Sequence, residues 1–264
     1  MTVAQKLIFV PVTMSSGTHK DYFSFASGNY SKFRPVYPPE LFEWIYSHCP
    51  GFEVALDCGT GNGQVAALLA TKFKTVYATD ISENQLAEAV KMPNIIYRLE
   101  PAENPSCAGS SVDLVTVAQA LHWFNLPDFY NSVKRILKPG GILAVTGYVF
   151  PGIDPETDII LRSFYDGTLG DYWPPERKLI DDHYRTIPFP FDEIASPDFT
   201  MAFDWTLSRF VAYLRTWSAV NNFIKTIGHD PVIDLEKQLA ASWNSDEKRK
   251  VNFPLILRVG RNDR

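Results

Sequence analysis

The chain has 264 residues, 45% hydrophobic and 21% charged, a balance that excludes a disordered or low-complexity protein and supplies a sizeable core. Its 30 acidic and 25 basic side chains give a formal net charge of −5, which argues against a nucleic-acid partner held mainly through phosphates. Cys49, Cys58 and Cys107 show no CxxC spacing and fit small buried hydrophobes in a reducing compartment better than a disulfide framework.

From the N-terminus, LIFVPV (7–12) is too short for the core of a secretion signal. No run approaches the roughly 20 apolar residues of a membrane helix. A cytoplasmic protein without a membrane partner, monomeric or homodimeric, is expected. Residues 13–38, rich in Ser, Gly and aromatics, read as a segment lying over something else. Pro38-Pro39 opens an apolar-periodic helix, ELFEWIYSH, with Leu41, Trp44 and Ile45 on one face.

Alternation follows. Strands are expected at FEVALDC (52–58), TVYATD (75–80), NIIYRLE (94–100), VDLVTVAQ (112–119) and ILAVTGY (142–148). Helices are expected at NGQVAALLATKF (62–73), at SENQLAEAVK from Ser82, and at LPDFYNSVKRILKPGG (126–141). Strands separated by helices imply right-handed crossovers and a parallel sheet, so the fold class is doubly wound α/β. Beyond residue 150 the periodicity weakens. A helix is expected near 157–165, strands at FTMAFDWT (199–206) and VNFPLILRVGR (251–261), and helices at SRFVAYLRTWSAVNNFI and PVIDLEKQLAASW. Pro254 would favour an edge or a bulge in that last strand. This divides the chain into a cover segment (1–38), a nucleotide-binding core (39–149), and a C-terminal part (150–264) adding two strands and a helical substrate cap.

The glycine spacing in LDCGTGNGQ (56–64) carries the functional signal. In an open parallel sheet, ligands bind beyond the carboxyl ends of strands where the order of connection reverses. Gly59, Gly61 and Gly63, with Thr60 and Asn62 between them, let ligand atoms approach bare backbone there. The helix beginning near Asn62 points unpaired N–H groups at the same spot. Asp80, at the end of the second strand and about 20 residues on, is placed to accept both hydroxyls of a ribose. The spacing is GxGxG rather than the dinucleotide GxGxxG, and a carboxylate at Asp57 repels a pyrophosphate but suits an ammonium. S-adenosylmethionine carries that ammonium and a ribose, and is favoured over NAD. Asp57 also suits a structural role, capping the turn through backbone N–H bonds, and the two roles are compatible.

These stretches resemble the class I S-adenosylmethionine-dependent methyltransferases. ALDCGTGNGQ is similar to their first motif, ATDIS (78–82) to their acidic second, AEN (102–104) to the turn that contacts the adenine amino group, and VDLVTVAQALHWF (112–124) to their fourth. SKFRPVYP (31–38), AQALHWF and DWTLSRFVAYLRTWSAV (204–220) resemble the small-molecule branch that includes trans-aconitate methyltransferase-like proteins. The resemblance implies a Rossmann-like, mostly parallel seven-stranded sheet. It places Asp57, Gly59, Gly61, Asp80, Glu103 and Gln119 around S-adenosylmethionine, with Ile81, Ala102 and Ala118 adjoining.

Residues just after the fourth strand face the transferred methyl group, so Gln119, His122 and Trp123 are the first catalytic candidates. His122 suits either a general base or a pocket-shaping group tied to backbone. Tyr30, Phe33, Arg34 and Tyr37 lie in the cover segment, where Arg34 suits a bidentate carboxylate clamp or a surface ion pair. Tyr172, Trp173, Trp205 and Trp217 suggest an aromatic-lined cap, with Arg215 and Arg177 as further anion readers. Consecutive residues Asp181, Asp182 and His183 cannot all face one ion, so no metal is expected. The Asn/Asp-Pro-Pro-aromatic signature of nitrogen methylation does not follow the fourth strand. The expected activity is methylation of a small organic molecule on oxygen, carboxylate or hydroxyl. C-methylation of a quinone precursor, a non-catalytic nucleotide-binding module and an NAD oxidoreductase are the alternatives.

Overall fold

The computed structural model describes residues 33–263; Tyr30 lies outside them. Helix α1 (Pro39–Tyr46) starts on a proline, whose fixed φ suits the first helical position, and buries Leu41, Phe42 and Ile45. The chain then alternates through β1 (Val54–Cys58), α2 (Gln64–Leu69), β2 (Thr75–Asp80), α3 (Glu83–Ala87), β3 (Ile95–Leu99), β4 (Val112–Ala118), α4 (Leu126–Ile136) and β5 (Leu137–Tyr148). The C-terminal part comprises α5 (Pro155–Ser163), α6 (Arg177–Asp181), β6 (Asp192–Ile194), β7 (Thr200–Thr206), α7 (Leu207–Leu214), α8 (Ser218–Ile227), α9 (Val232–Leu239) and β8 (Lys248–Arg261).

The strand order is β3-β2-β1-β4-β5-β8-β6, with β7 also on β8. Strands β1 to β5 run parallel, whereas β8 pairs antiparallel with β5 and with both β6 and β7. Ile194 pairs with Val259 and Thr200 with Pro254, while the Leu255 amide donates to the Phe199 carbonyl between them. β6 and β7 are thus two pieces of one interrupted strand, and the sheet has seven strand positions. Pro254 sits one residue beyond the last β5 pair, Tyr148–Leu255; its carbonyl accepts the Val149 amide (3.2 Å), and the N–H it lacks would face the same way, so the ladder to β5 ends there.

Alternate side chains of β1 enter opposite layers. Ala55 packs with Leu41, Ile45 and Leu69, while Leu56 and Cys58 pack with Phe129 and Val133 of α4. Both faces of the sheet are therefore covered, as parallel strands require. The 126–141 helix ends early, at Ile136, because Pro139 drives Lys138 out of the helical region and the chain passes directly into β5. The 208–224 helix is two helices. The Thr216 hydroxyl donates to the Tyr213 carbonyl (2.7 Å), competing with a continuing helical amide, and Trp217 turns extended before α8. No helix among the described residues is long and apolar enough to cross a membrane.

The order reverses between β1 and β4: the chain steps outward through β2 and β3, then returns to lay β4 against the other side of β1. The ends of β1 and β4 consequently flank a crevice, and the loops leaving them carry Gly59–Gly63 and Gln119–Phe124.

Candidate cofactor and acceptor site

Asp57, the penultimate residue of β1, lies within its buried run at 1% exposure. Its Oδ1 accepts the Thr116 hydroxyl from β4 (2.7 Å) and its Oδ2 the Thr60 hydroxyl (2.6 Å), and the Ala66 amide also reaches it. A carboxylate offers about four lone-pair positions, so one further donor can be taken. Burial pushes the Asp57 pKa up to about 6 despite these hydrogen bonds, and the nearby Asp80 charge pushes the same way. An incoming ammonium would reverse that penalty.

The loop after Asp57 is tied to β2. The Thr60 amide donates to the Thr79 carbonyl (2.9 Å) and the Gly61 amide to Asp80 Oδ2 (2.8 Å), while Asp80 Oδ1 accepts the Ser82 amide (2.9 Å). These bonds fix the Asp80 carboxylate at the strand end. Gly61 and Gly63 both have positive φ, +55° and +80°, but for different reasons. A Cβ on Gly61 would meet nothing nearer than Gln85 Oε1 at 3.8 Å, which leaves open space over the backbone. A Cβ on Gly63 would strike the Tyr97 hydroxyl, so this glycine serves close packing of α2 on β3 and does not line the crevice. Helix α2 has only six residues, fewer than the expected 62–73, so its dipole contributes less than the sequence suggests.

The crevice is a cavity of about 440 Å³, within the range of roughly 300–1,000 Å³ typical of small-ligand sites. Its walls bring together Asp57, Gly59, Thr60, Gly61 and Asn62 from the first crossover, and Asp80 and Ile81 from the second. Ala102, Glu103, Ala118, Gln119, Trp123 and Arg34 join them. Glu103 carries a structural bond as well, accepting the Asn125 amide ahead of α4 (2.7 Å). Gln119 is held at φ +55°, its Nε2 donating to the Tyr148 carbonyl (3.1 Å). Its Oε1 is buried without a hydrogen-bond partner. Arg34 donates to the Tyr148 hydroxyl (2.7 Å) and the Thr216 carbonyl (3.1 Å), so β5 and the α7–α8 break hold it at the cavity.

Besides Gly63, three expected site residues stand elsewhere. His122 is 9% exposed and does not line the cavity. Its Nδ1 lies 2.8 Å from the Tyr184 hydroxyl. Burial, reinforced by the Arg177 charge, lowers its pKa to about 3. Trp173 and Trp217 face each other at 5.4 Å within an aromatic cluster that includes Tyr165 and Tyr213. There the Trp173 indole donates to the Tyr165 carbonyl (3.1 Å), so these rings form core and not cavity wall.

Glu100, Phe124, Tyr148 and Glu176 line the cavity without having been singled out from sequence. Glu100 is 2% exposed, its carboxylate accepting the Ser106 amide (3.0 Å) and hydroxyl (2.5 Å). A charge closing the apolar run NIIYRLE was its available signal. Tyr148 and Glu176 are brought in by tertiary folding alone.

The donor set fits S-adenosylmethionine. A buried carboxylate with one vacant acceptor position, a second carboxylate fixed by backbone amides, and bare backbone at Gly61 match its ammonium, ribose and amino-acid tail in turn. Residues 56–145 match the family model described as a methyltransferase domain. A methyltransferase of Dictyostelium discoideum is 36% identical over 245 residues, covering 90% of this chain and 93% of that protein. An uncharacterised methyltransferase of Schizosaccharomyces pombe is 32% identical, covering 86% and 91%. Among solved structures, a type II methyltransferase from Anaeromyxobacter dehalogenans superposes with a TM-score of 0.81 at 38% identity, covering 87% of this chain and 98% of that one. The chain therefore belongs to the class I methyltransferases, enzymes that take their methyl group from S-adenosylmethionine.

Proposed function

We propose that the enzyme methylates an oxygen of a small organic acid. The observation that carries this reading is Arg34, a guanidinium lining the cavity and held there by Tyr148 and Thr216. A planar guanidinium at the cavity wall suits a carboxylate.

When bound, the cofactor supplies a methyl group already activated on a sulfonium. The chain's own task is then to bind, orient and exclude water. Asp57 takes the ammonium into its remaining acceptor position, and Asp80 the ribose hydroxyls. Gln119 Oε1, otherwise unpartnered, accepts a donor from whatever occupies the space between cofactor and acceptor. Trp123, Phe124, Tyr37 and Tyr148 wall that space with aromatic surface. An ionised carboxylate needs no general base, which accords with a His122 held neutral against Tyr184.

The test is a methyl-transfer assay on a panel of small carboxylic acids, their hydroxylated relatives and neutral phenols, run on wild type and Arg34→Gln. Turnover on acids that falls at least about tenfold in the variant, with cofactor affinity unchanged, supports the reading. Turnover on neutral phenols alone, indifferent to Arg34, overturns it.

A further inference from the structure

Glu176 is a charged residue of the cavity wall that comes from the C-terminal part of the chain. It follows Pro174 and Pro175 and precedes α6, in a turn closed by the Arg177 amide on the Pro174 carbonyl (2.9 Å) and the Leu179 amide on the Glu176 carbonyl (3.0 Å). Two successive prolines restrict this backbone, so the side chain is presented from a stiff support. Glu176 lines the cavity, and its Oε2 is buried without a hydrogen-bond partner. The neighbouring cation is engaged elsewhere: Arg177 Nε donates to the Tyr165 hydroxyl (2.7 Å) and to Asp181 Oδ1 (3.3 Å). A buried carboxylate oxygen without a donor is costly, and a donor from a ligand or a bound water removes that cost.

We propose that Glu176 is a specificity-determining residue that accepts a hydrogen bond from the methyl acceptor, so that the acceptor carries a hydroxyl or ammonium donor in addition to the anionic group read by Arg34. The substrate class is then a small hydroxy or amino acid. The inference rests on the anion reading of Arg34 given above and narrows it.

Calorimetry with the cofactor site saturated by S-adenosylhomocysteine tests it, using succinate against malate for the hydroxyl and succinate against aspartate for the ammonium. Wild type is expected to bind at least one donor-bearing acid about tenfold or more tighter than succinate, and Glu176→Ala to bring that ratio to within about twofold. Glu176→Gln keeps an acceptor oxygen but loses the charge. It is expected to retain a malate preference and to lose an aspartate one, which separates the two donors. Affinity for S-adenosylhomocysteine, unchanged within about twofold in both variants, reports that they are folded with an intact cofactor site. If succinate binds as tightly as both relatives, or the preference survives Glu176→Ala, this proposal falls while the anion reading stands. If no acid binds wild type, both fall together.

Discussion

Residues 54–148 and residues 150–263 use similar amounts of apolar sequence to different ends. In the first region each strand end delivers polar groups to the crevice: Asp57 from β1, Asp80 from β2, Glu100 after β3 and Gln119 after β4. In the second, the large aromatic residues spend their surface on one another. Trp173, Trp217, Tyr165 and Phe150 form one continuous group, and Trp205 and Tyr213 pack on Phe253 of β8. The comparison separates recognition from support. Substitutions at the crevice residues of the first region should change affinity more than stability, and those in the aromatic group should do the reverse.

The largest effect is expected from the second region. Trp217 is 5% exposed, and Trp217→Ala should cost about 3–5 kcal/mol in urea unfolding, as other buried aromatic truncations do. Loss of cofactor affinity without loss of stability would make Trp217 a cavity residue and break the comparison. Next, Asp80→Ala removes the acceptor of the Gly61 and Ser82 amides. It should weaken S-adenosylmethionine binding about a hundredfold by calorimetry, the scale of hydrogen bonds to a charged group.

A pH titration sharpens the role of Asp57. Its folded pKa, about 6, lies above its unfolded value, so the stability associated with its protonated form is fully present below the unfolded pKa and is lost as pH rises through about 6. Binding of an ammonium requires the ionised form. Affinity for S-adenosylmethionine should therefore fall about tenfold per unit as pH drops below 6, and Asp57→Asn should flatten that dependence. A flat wild-type profile would assign Asp57 to turn capping alone. The smallest effect is expected at His122. His122→Gln should lower turnover less than about threefold, whereas a loss on the order of 10²-fold would restore the imidazole as a general base.

The same division explains what was legible in the sequence. TVYATD is legible as Thr75–Asp80 because β-branched and aromatic residues fill it and a charge ends it. The first crossover was legible because its glycines mark required positive φ, although spacing alone did not reveal that Gly63 answers to Tyr97 and not to a ligand. His122 follows β4 in sequence, but the short helical turn Leu121–Trp123 rotates it toward Tyr184 while Trp123 lines the cavity, a rotation that no linear motif encodes. Arg34 and Glu176 are far apart in the chain and converge on the cavity only through long-range packing. The three-residue strand β6 and five-residue helix α6 are too short to show a period.

A crystal structure of the protein soaked with S-adenosylhomocysteine is the most direct test of the central claim, that the β1–β4 crevice is the cofactor site. The account predicts the ligand's ammonium against Asp57, its tail across Gly61 and its ribose hydroxyls on Asp80. Density for the ligand at any other place, or none in a protein shown by calorimetry to bind it, would contradict the account.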